Sequence, residues 1–201
     1  MRSRWTARRV AALLLAAGEL AAAGAPAVRA AEYALDPTHT SVVFEAAHFG
    51  ISTSRGRFER ITGSVQFDRA ARSGSVEVVV ATASLSTGVA ALDERLRGPE
   101  FLDVQVHPSA IFVAERLVFD AAGANAKVVE VPGRLTLLGR TEPVTLRATA
   151  FNCYLNLLLR REVCGGDFEA TLQRSGWGMD RAVAGVPETV RLLVQVEAIR
   201  Q

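Results

Sequence analysis

The feature that most constrains the fold is a period-two alternation of apolar residues, which recurs along the chain from residue 42 onward. Successive side chains of a β-strand point to opposite faces, so alternation with β-branched and aromatic enrichment predicts strands that bury one face. Eight runs show this pattern. Their alternating positions are Val42, Phe44, Ala46 and His48; Val65 and Phe67; Val76, Val78 and Val80; Ala110, Phe112 and Ala114; Val131, Gly133, Leu135 and Leu137; Val144, Leu146 and Ala148; Phe168, Ala170, Leu172 and Arg174; and Val190, Leu192, Val194 and Val196.

Turn-forming segments separate these runs. Residues 68–74, 121–125, 139–143 and 185–187 contain Gly, Asp, Asn or Pro, which tight turns favour. Antiparallel strands can be joined by such short turns, whereas parallel strands need long crossover connections. The spacing therefore predicts about eight antiparallel strands in a single domain that spans residues 31–201.

One segment has a helical period instead. Leu92 and Leu96 share a face between Val89 and Arg97, and the pair Gly98-Pro99 is a stop signal. We expect an all-β domain with one short helix near residues 88–97.

The small size of many alternating residues favours a barrel over a sandwich. A solid core usually needs larger side chains to reach native packing density. An eight-stranded barrel instead has an interior wide enough for one small ligand. Close packing of two sheets is the alternative, because it tolerates the same small residues. The residues in question are Ala46, Ala110, Ala114, Gly133, Ala148 and Ala170.

The first thirty residues have the order of a secretory signal peptide. Four arginines among the first nine residues precede an apolar stretch from Val10 to Ala17, and the segment ends in the small-residue pattern Val28-Arg29-Ala30. We expect cleavage after Ala30 and export to the periplasm, with an uncleaved anchor as the alternative. The remaining chain has 18 basic and 20 acidic residues and no Lys/Arg run, so it lacks the basic footprint of a nucleic-acid-binding protein.

The chain contains two cysteines, Cys153 and Cys164. In an exported protein a pair of cysteines indicates a disulfide, and the ten intervening residues do not fit a C-x-x-C redox motif. We expect a structural disulfide between them.

Several motifs resemble one known family when they are taken in order. They are Tyr33-x-Leu35-Asp36-x-x-His39-Thr40, Val42-x-Phe44, His48-Phe49-Gly50, Ser84-Leu85-Ser86-Thr87, Leu96-Arg97-Gly98-x-Glu100-Phe101-Leu102-Asp103, His107-Pro108-x-Ala110-x-Phe112, Gly133-Arg134-Leu135-Thr136-Leu137-x-Gly139-x-Thr141-x-Pro143-Val144 and Arg174-Ser175-x-Trp177-Gly178-Met179. Their sum resembles the YceI-like polyisoprenoid-binding proteins over residues 33–197.

The resemblance implies a lipocalin-like, eight-stranded antiparallel barrel in the periplasm, with a long isoprenoid chain in its lumen. We therefore expect a non-enzymatic carrier or store for an isoprenoid quinone or a polyprenyl phosphate, without a cofactor or a metal. Transient contact with a membrane and formation of a homodimer stay open. Trp177 stands where the family usually has Phe, and the segment 152–166 belongs only to a subset of the family.

The alternating face predicts which side chains line the lumen, although each of them fits an ordinary core equally well. The predicted lining is Phe44, Phe58, Phe67, Val78, Val80, Phe112, Leu135, Leu137, Leu146, Phe168 and Leu172, and the predicted cap at one end is Leu92, Leu96, Phe101 and Leu102.

Two polar residues, His48 and Arg174, fall on the same inward phase. A buried Arg is costly unless it is paired or hydrogen-bonded. It could meet a quinone or phosphate head group that His48 helps to orient. Alternatively, backbone carbonyls or a carboxylate such as Asp36 or Asp180 satisfy it.

Two other function classes stay open at this point. A metal-dependent hydrolase could use His39 and His48 with Asp36 or Glu45, although their spacing lacks the tight helical pairing of metalloprotease sites. A structural or stress-related protein could fill the barrel with its own side chains.

Overall fold

The structure is a computed structural model that describes residues 30–120, 126–180 and 185–201. The predicted signal peptide therefore lies outside the described residues, except for Ala30. The predicted turn at 121–125 also lies outside them.

Twelve strand segments alternate with one α-helix and two short 3₁₀ turns in the described ranges. The strands are β1 (Ala31–Leu35), β2 (Ser41–His48), β3 (Ser52–Phe58), β4 (Ile61–Asp68), β5 (Ser73–Ala81), β6 (Leu85–Ser86), β7 (Ser109–Ala114), β8 (Val118–Phe119), β9 (Val128–Leu137), β10 (Arg140–Asn156), β11 (Arg161–Gln173) and β12 (Thr189–Arg200). The helix is α1 (Ala90–Arg97), and the 3₁₀ turns span Thr82–Ser84 and Arg174–Trp177.

These segments form the eight strands of a closed antiparallel barrel. β1 and β2 lie end to end along β12, and β4 and β3 pair with them on the other side. In the same way β6 continues β5, and β8 continues β7. The ring closes in the order β1/β2, β3/β4, β5/β6, β7/β8, β9, β10, β11, β12. The predicted barrel is confirmed, and the sandwich alternative is wrong.

Side chains hold the strand interruptions. At the break between β1 and β2, the carboxylate of Asp36 accepts hydrogen bonds from the backbone N–H and the hydroxyl of Thr38, at 2.9 and 2.6 Å. At the break between β3 and β4, the Ser84 hydroxyl accepts from the backbone N–H groups of Glu59 and Arg60. These polar contacts satisfy backbone groups that leave the strand ladder.

The predicted short helix is confirmed as α1. The Asp93 carboxylate accepts hydrogen bonds at 2.6 Å from both the backbone N–H and the hydroxyl of Thr87, which ties the first turn to β6. Gly98 ends the helix, and its N–H donates to the carbonyl of Arg95. The Arg97 guanidinium donates to the Leu85 carbonyl, so α1 is fastened across one end of the barrel. Within the described residues, no helix is long and apolar enough to cross a membrane.

The other end carries a long hairpin made by β10 and β11, of 17 and 13 residues. Cys153 and Cys164 face each other across it and form a disulfide, as predicted from the sequence. We call this end, with the β4–β5 turn and the end of β12, the hairpin end. The opposite end, with α1 and the β9–β10 turn, is the helix end.

Two glycines each make room for an aromatic ring of the neighbouring strand inside the barrel. A Cβ atom at Gly133 would lie 2.5 Å from the ring of Phe112, and one at Gly56 would overlap the ring of Phe44. The small residues that predicted an open lumen therefore serve in part to seat large ones.

Candidate ligand-binding lumen

The barrel encloses two apolar cavities, one toward each end. The hairpin-end cavity has a volume of about 100 Å³, and the helix-end cavity has a volume of about 150 Å³. Both lie on the inward faces of the strands, as the alternation requires. Ala170 lies between them along β11, because Phe168 lines the first cavity and Leu172 lines the second.

The hairpin-end cavity contains five of the predicted lining residues. They are Phe67, Val78, Phe112, Leu146 and Phe168. Aromatic rings cluster in this part of the lumen: Phe67 packs on Tyr33, Phe119 and Phe151 at centroid distances of 6.0, 5.9 and 5.9 Å. Tyr33 is buried, and its hydroxyl donates to Glu162 at 2.7 Å. Burial, with that hydrogen bond, raises the pKa of Tyr33 to about 12.

The helix-end cavity contains eight of the predicted residues, including three of the four expected in the cap. They are Phe44, Phe58, Leu96, Phe101, Leu102, Leu137, Leu172 and Arg174. The Arg95 guanidinium lies over the Phe101 ring at 5.7 Å, which holds the segment after α1 against this cavity.

Four predicted residues line neither cavity. They are His48, Val80, Leu92 and Leu135. The reason is clearest for His48, which is exposed and lies edge-on to Phe49 at 4.8 Å. The pairing of β2 with β12 ends at Glu45, so the last residues of β2 extend beyond the barrel wall. The expectation that His48 points inward is therefore corrected.

Sequence reasoning missed two kinds of lining residue. The first kind lies on the alternating face that the sequence analysis identified but was left out of the predicted lining. These residues are Val42, Val65, Val76, Val131, Val190, Leu192, Val194 and Val196. The second kind comes from segments without a recognised period. Tyr33 and Leu35 belong to the short β1, and Trp177, Met179 and Val186 belong to the segment between β11 and β12.

Arg174 is the one charged residue among the described residues that line the two cavities. It is 8% exposed, and it donates hydrogen bonds to the carbonyls of Met179 at 2.7 Å and Pro187 at 3.2 Å. The Glu188 carboxylate lies 3.9 Å from its Nε. The backbone carbonyls that the sequence analysis offered as partners are therefore present, and the carboxylate beside Arg174 is Glu188 rather than Asp36 or Asp180.

Glu188 is itself held in place by its neighbours. Its carboxylate accepts a hydrogen bond from the backbone N–H of Ser175 at 2.7 Å. Hydrogen bonding by Ser175 keeps the pKa of Glu188 below its ordinary value, and the positive charge of Arg174 acts in the same direction.

Three potential metal ligands gather at the break between β1 and β2. Ligand atoms of Asp36, His39 and Glu197 all lie within 4.8 Å of one another. His39 is exposed, and its Nδ1 already lies 2.8 Å from the Asp36 carboxylate. The structure does not bring His39 and His48 together, since seven residues of β2, more than about 20 Å of extended chain, lie between them.

Comparison with known protein families identifies the family of this chain. The model of the YceI-like domain matches residues 33–198. The chain belongs to the YceI-like family. A UPF0312 protein of Pseudomonas paraeruginosa is 33% identical to it over 175 residues, which cover 86% of this chain and 88% of that protein. A UPF0312 protein of Vibrio cholerae is 34% identical over 139 residues, which cover 67% and 71%.

Two solved structures have the same fold. BcnA of Burkholderia cenocepacia matches with a TM-score of 0.65 at 21% identity, over 81% of this chain and 98% of that chain. A polyisoprenoid-binding domain of Saccharophagus degradans matches with a TM-score of 0.60 at 14% identity, over 84% and 98%. At these identities the likeness carries the barrel architecture.

Proposed function

We propose that this YceI-like protein is a non-enzymatic periplasmic carrier or store that holds the tail of a long-chain isoprenoid lipid in its lumen. The observation that carries the proposal is the pair of apolar cavities placed in line along a closed barrel. An isoprenoid tail offers no hydrogen bonds, so its site must be an apolar surface with few polar groups. The name of the Saccharophagus degradans structure supports the same ligand class.

The energetics favour reversible binding. Burying about twenty tail carbons away from water contributes at most roughly 16 kcal/mol, at about 0.8 kcal/mol for each methylene. A prenyl lipid, however, normally resides in a bilayer that is as apolar as the lumen. Transfer from membrane to protein is therefore close to neutral, which suits a carrier better than a trap.

The head group belongs at the helix end in this proposal. Arg174 lies in the wall of that cavity, and its contacts with the Met179 and Pro187 carbonyls orient the guanidinium. A quinone carbonyl or a phosphate is a suitable acceptor for such a donor. His48, which is exposed beyond the barrel wall, has no part in this arrangement.

An exported location is part of this proposal, and two observations support it. The Cys153–Cys164 disulfide is of the kind that persists in oxidising compartments such as the periplasm. The predicted signal peptide at residues 1–30 leads to the same compartment.

The test is mass spectrometry on an organic extract of protein purified from periplasm without detergent. We expect a stoichiometric prenyl lipid, which the spectrum would identify by its head group. The variant Ala170→Phe fills the space between the two cavities and should lower the lipid stoichiometry. The matched control is Ala91→Phe on the exposed face of α1, which should retain the lipid. An empty extract, repeated after incubation with isoprenoid quinones, would favour the self-filled barrel instead.

A further inference from the structure

The tip of the β10–β11 hairpin exposes a cluster of leucines to solvent. Leu157 and Leu158 are 79% and 96% exposed, and Leu155 and Leu159 are also exposed. Isolated exposed apolar residues are ordinary on protein surfaces, but a contiguous group marks a contact with another apolar phase. Four leucines within five residues form such a group.

The shape of this tip is fixed by covalent and polar contacts. The side-chain carbonyl of Asn156 accepts hydrogen bonds from the backbone N–H groups of Leu158 and Leu159, each at 3.1 Å. The disulfide between Cys153 and Cys164 joins the two strands below the loop. The leucines are therefore held outward by a defined turn, so their exposure is a property of the fold.

Positive charge lies directly beside the leucines. Arg160 and Arg161 follow them directly, both are exposed, and no acidic residue occurs between Tyr154 and Arg161. Arg72 in the β4–β5 turn and Arg200 at the end of β12 are exposed at the same end of the barrel, where Arg200 lies 3.9 Å from the carboxylate of Glu162. The chain beyond residue 30 has a net charge of −2, so this concentration of positive charge is local.

The two strands of this hairpin also contribute to the lumen. Phe151 and Cys164 belong to the same two strands, and both line the hairpin-end cavity. A lipid that enters or leaves at this end would meet the hairpin first.

We propose that the hairpin tip, residues 154–161, inserts its leucines into the surface of an anionic lipid bilayer, while Arg160 and Arg161 contact lipid phosphates. A convex apolar tip needs a matching groove in a protein partner, whereas a bilayer accepts it without one. Leucines at the acyl boundary with arginines at the phosphates are the arrangement that binds interfacial segments to membranes. Membrane docking is inferred from the hairpin tip alone, and only its role in lipid transfer rests on the proposed function.

The experiment is flotation of the oxidised mature chain with vesicles of mixed phosphatidylcholine and phosphatidylglycerol. The double variant Leu157→Glu/Leu158→Glu should lower the apparent affinity by at least about 100-fold, because it removes two inserting side chains and adds two negative charges. The variant Arg160→Ser/Arg161→Ser should lose about 10- to 30-fold on the mixed vesicles and little on pure phosphatidylcholine. Circular dichroism confirms that each variant is folded.

The matched control is Ile51→Glu. Ile51 is 88% exposed in the β2–β3 turn at the opposite end of the barrel, so its replacement should leave vesicle binding unchanged. Equal binding by the leucine variant and the unchanged chain would overturn the proposal, as would loss of binding in Ile51→Glu. Sedimentation in the absence of lipid tests a second copy of the chain as the occupant. A dimer that the leucine variant abolishes, without vesicle binding by the unchanged chain, would also overturn it.

A further measurement separates this proposal from the lumen proposal. In the leucine variant, the lipid already bound during expression should still appear in the organic extract, because no lining residue of either cavity is altered. If the unchanged chain floats with vesicles but its lumen is empty, docking is supported and the lumen proposal is contradicted. If the unchanged chain contains lipid but does not float with vesicles, docking alone is contradicted.

Discussion

The contact between Gly133 and the ring of Phe112 permits a quantitative prediction about the barrel interior. The variant Gly133→Ala places a methyl group where a Cβ lies 2.5 Å from the Phe112 ring and 2.6 Å from the Val113 carbonyl oxygen. The ring could shift, but the carbonyl belongs to the β7 backbone beside β9 and cannot move without disturbing the ladder. Overpacking of this kind costs about 1–3 kcal/mol.

A smaller effect acts in the opposite direction. Replacing Gly with Ala restricts the unfolded chain, which stabilises a compatible site by about 0.4–1 kcal/mol. The net expectation for Gly133→Ala is a loss of about 1–2 kcal/mol in the free energy of unfolding. For a domain of this size, that loss corresponds to a decrease of roughly 3–6 °C in melting temperature.

Urea unfolding followed by circular dichroism measures this change, and a double-mutant cycle locates its cause. Phe112→Leu shortens the side chain, so Gly133→Ala should cost less in that background, with a coupling energy on the order of 1 kcal/mol. The remaining cost reports the Val113 carbonyl. A Gly133→Ala protein as stable as the unchanged chain, or a coupling energy near zero, would refute the argument that the glycine seats the ring.

Three further predictions concern the disulfide, the Asp36 carboxylate and the buried guanidinium of Arg174. Replacing Cys153 and Cys164 by Ser should lower the free energy of unfolding by about 3 kcal/mol in urea titrations, an effect that added reductant should reproduce in the unchanged chain. Hydrogen bonding by Thr38 lowers the pKa of Asp36 to about 2, so its contribution to stability is complete above about pH 4 and lost as the pH falls toward 2; thermal melts of Asp36→Asn should lack this decrease. Arg174→Met should cost about 1–3 kcal/mol in thermal or urea unfolding, because two carbonyls lose their donor, and a cost near zero would show that the guanidinium is not structural.

The barrel could be predicted because its strands alternate with a strict period of two. β12 is a clear example, with valine or leucine at each inward position from residue 190 to residue 196. β3 was not recognised, because its inward positions hold Ser54 and Gly56 ahead of Phe58. Gly56 is small because the Phe44 ring of β2 packs against it, which is a contact between strands that no local pattern reveals.

The candidate site could be predicted only as far as its residues lie on regular strands. The alternation placed Phe112 and Phe168 in the lining but did not predict which residues they contact. It failed at His48, since the alternation continues there while the pairing with β12 has already ended. The kind of partner that Arg174 contacts could be predicted, but not the residues that supply it. The Met179 and Pro187 carbonyls and the Glu188 carboxylate lie in an irregular segment whose path depends on tertiary packing.

Arg174 and the leucine tip lie at opposite ends of β11, a strand of 13 residues, about 40 Å apart. With the tip docked in a bilayer, a lipid that enters head first at the hairpin end keeps its tail toward the membrane. Its head group must then pass along the apolar wall of the lumen to reach Arg174 at the helix end. A neutral quinone crosses that wall at little cost. An ionised phosphate would lose its hydration on the way, at a cost on the order of tens of kcal/mol for an unpaired ion in a medium of low dielectric. The length of the barrel would then discriminate between the two head groups by their charge, in favour of the quinone.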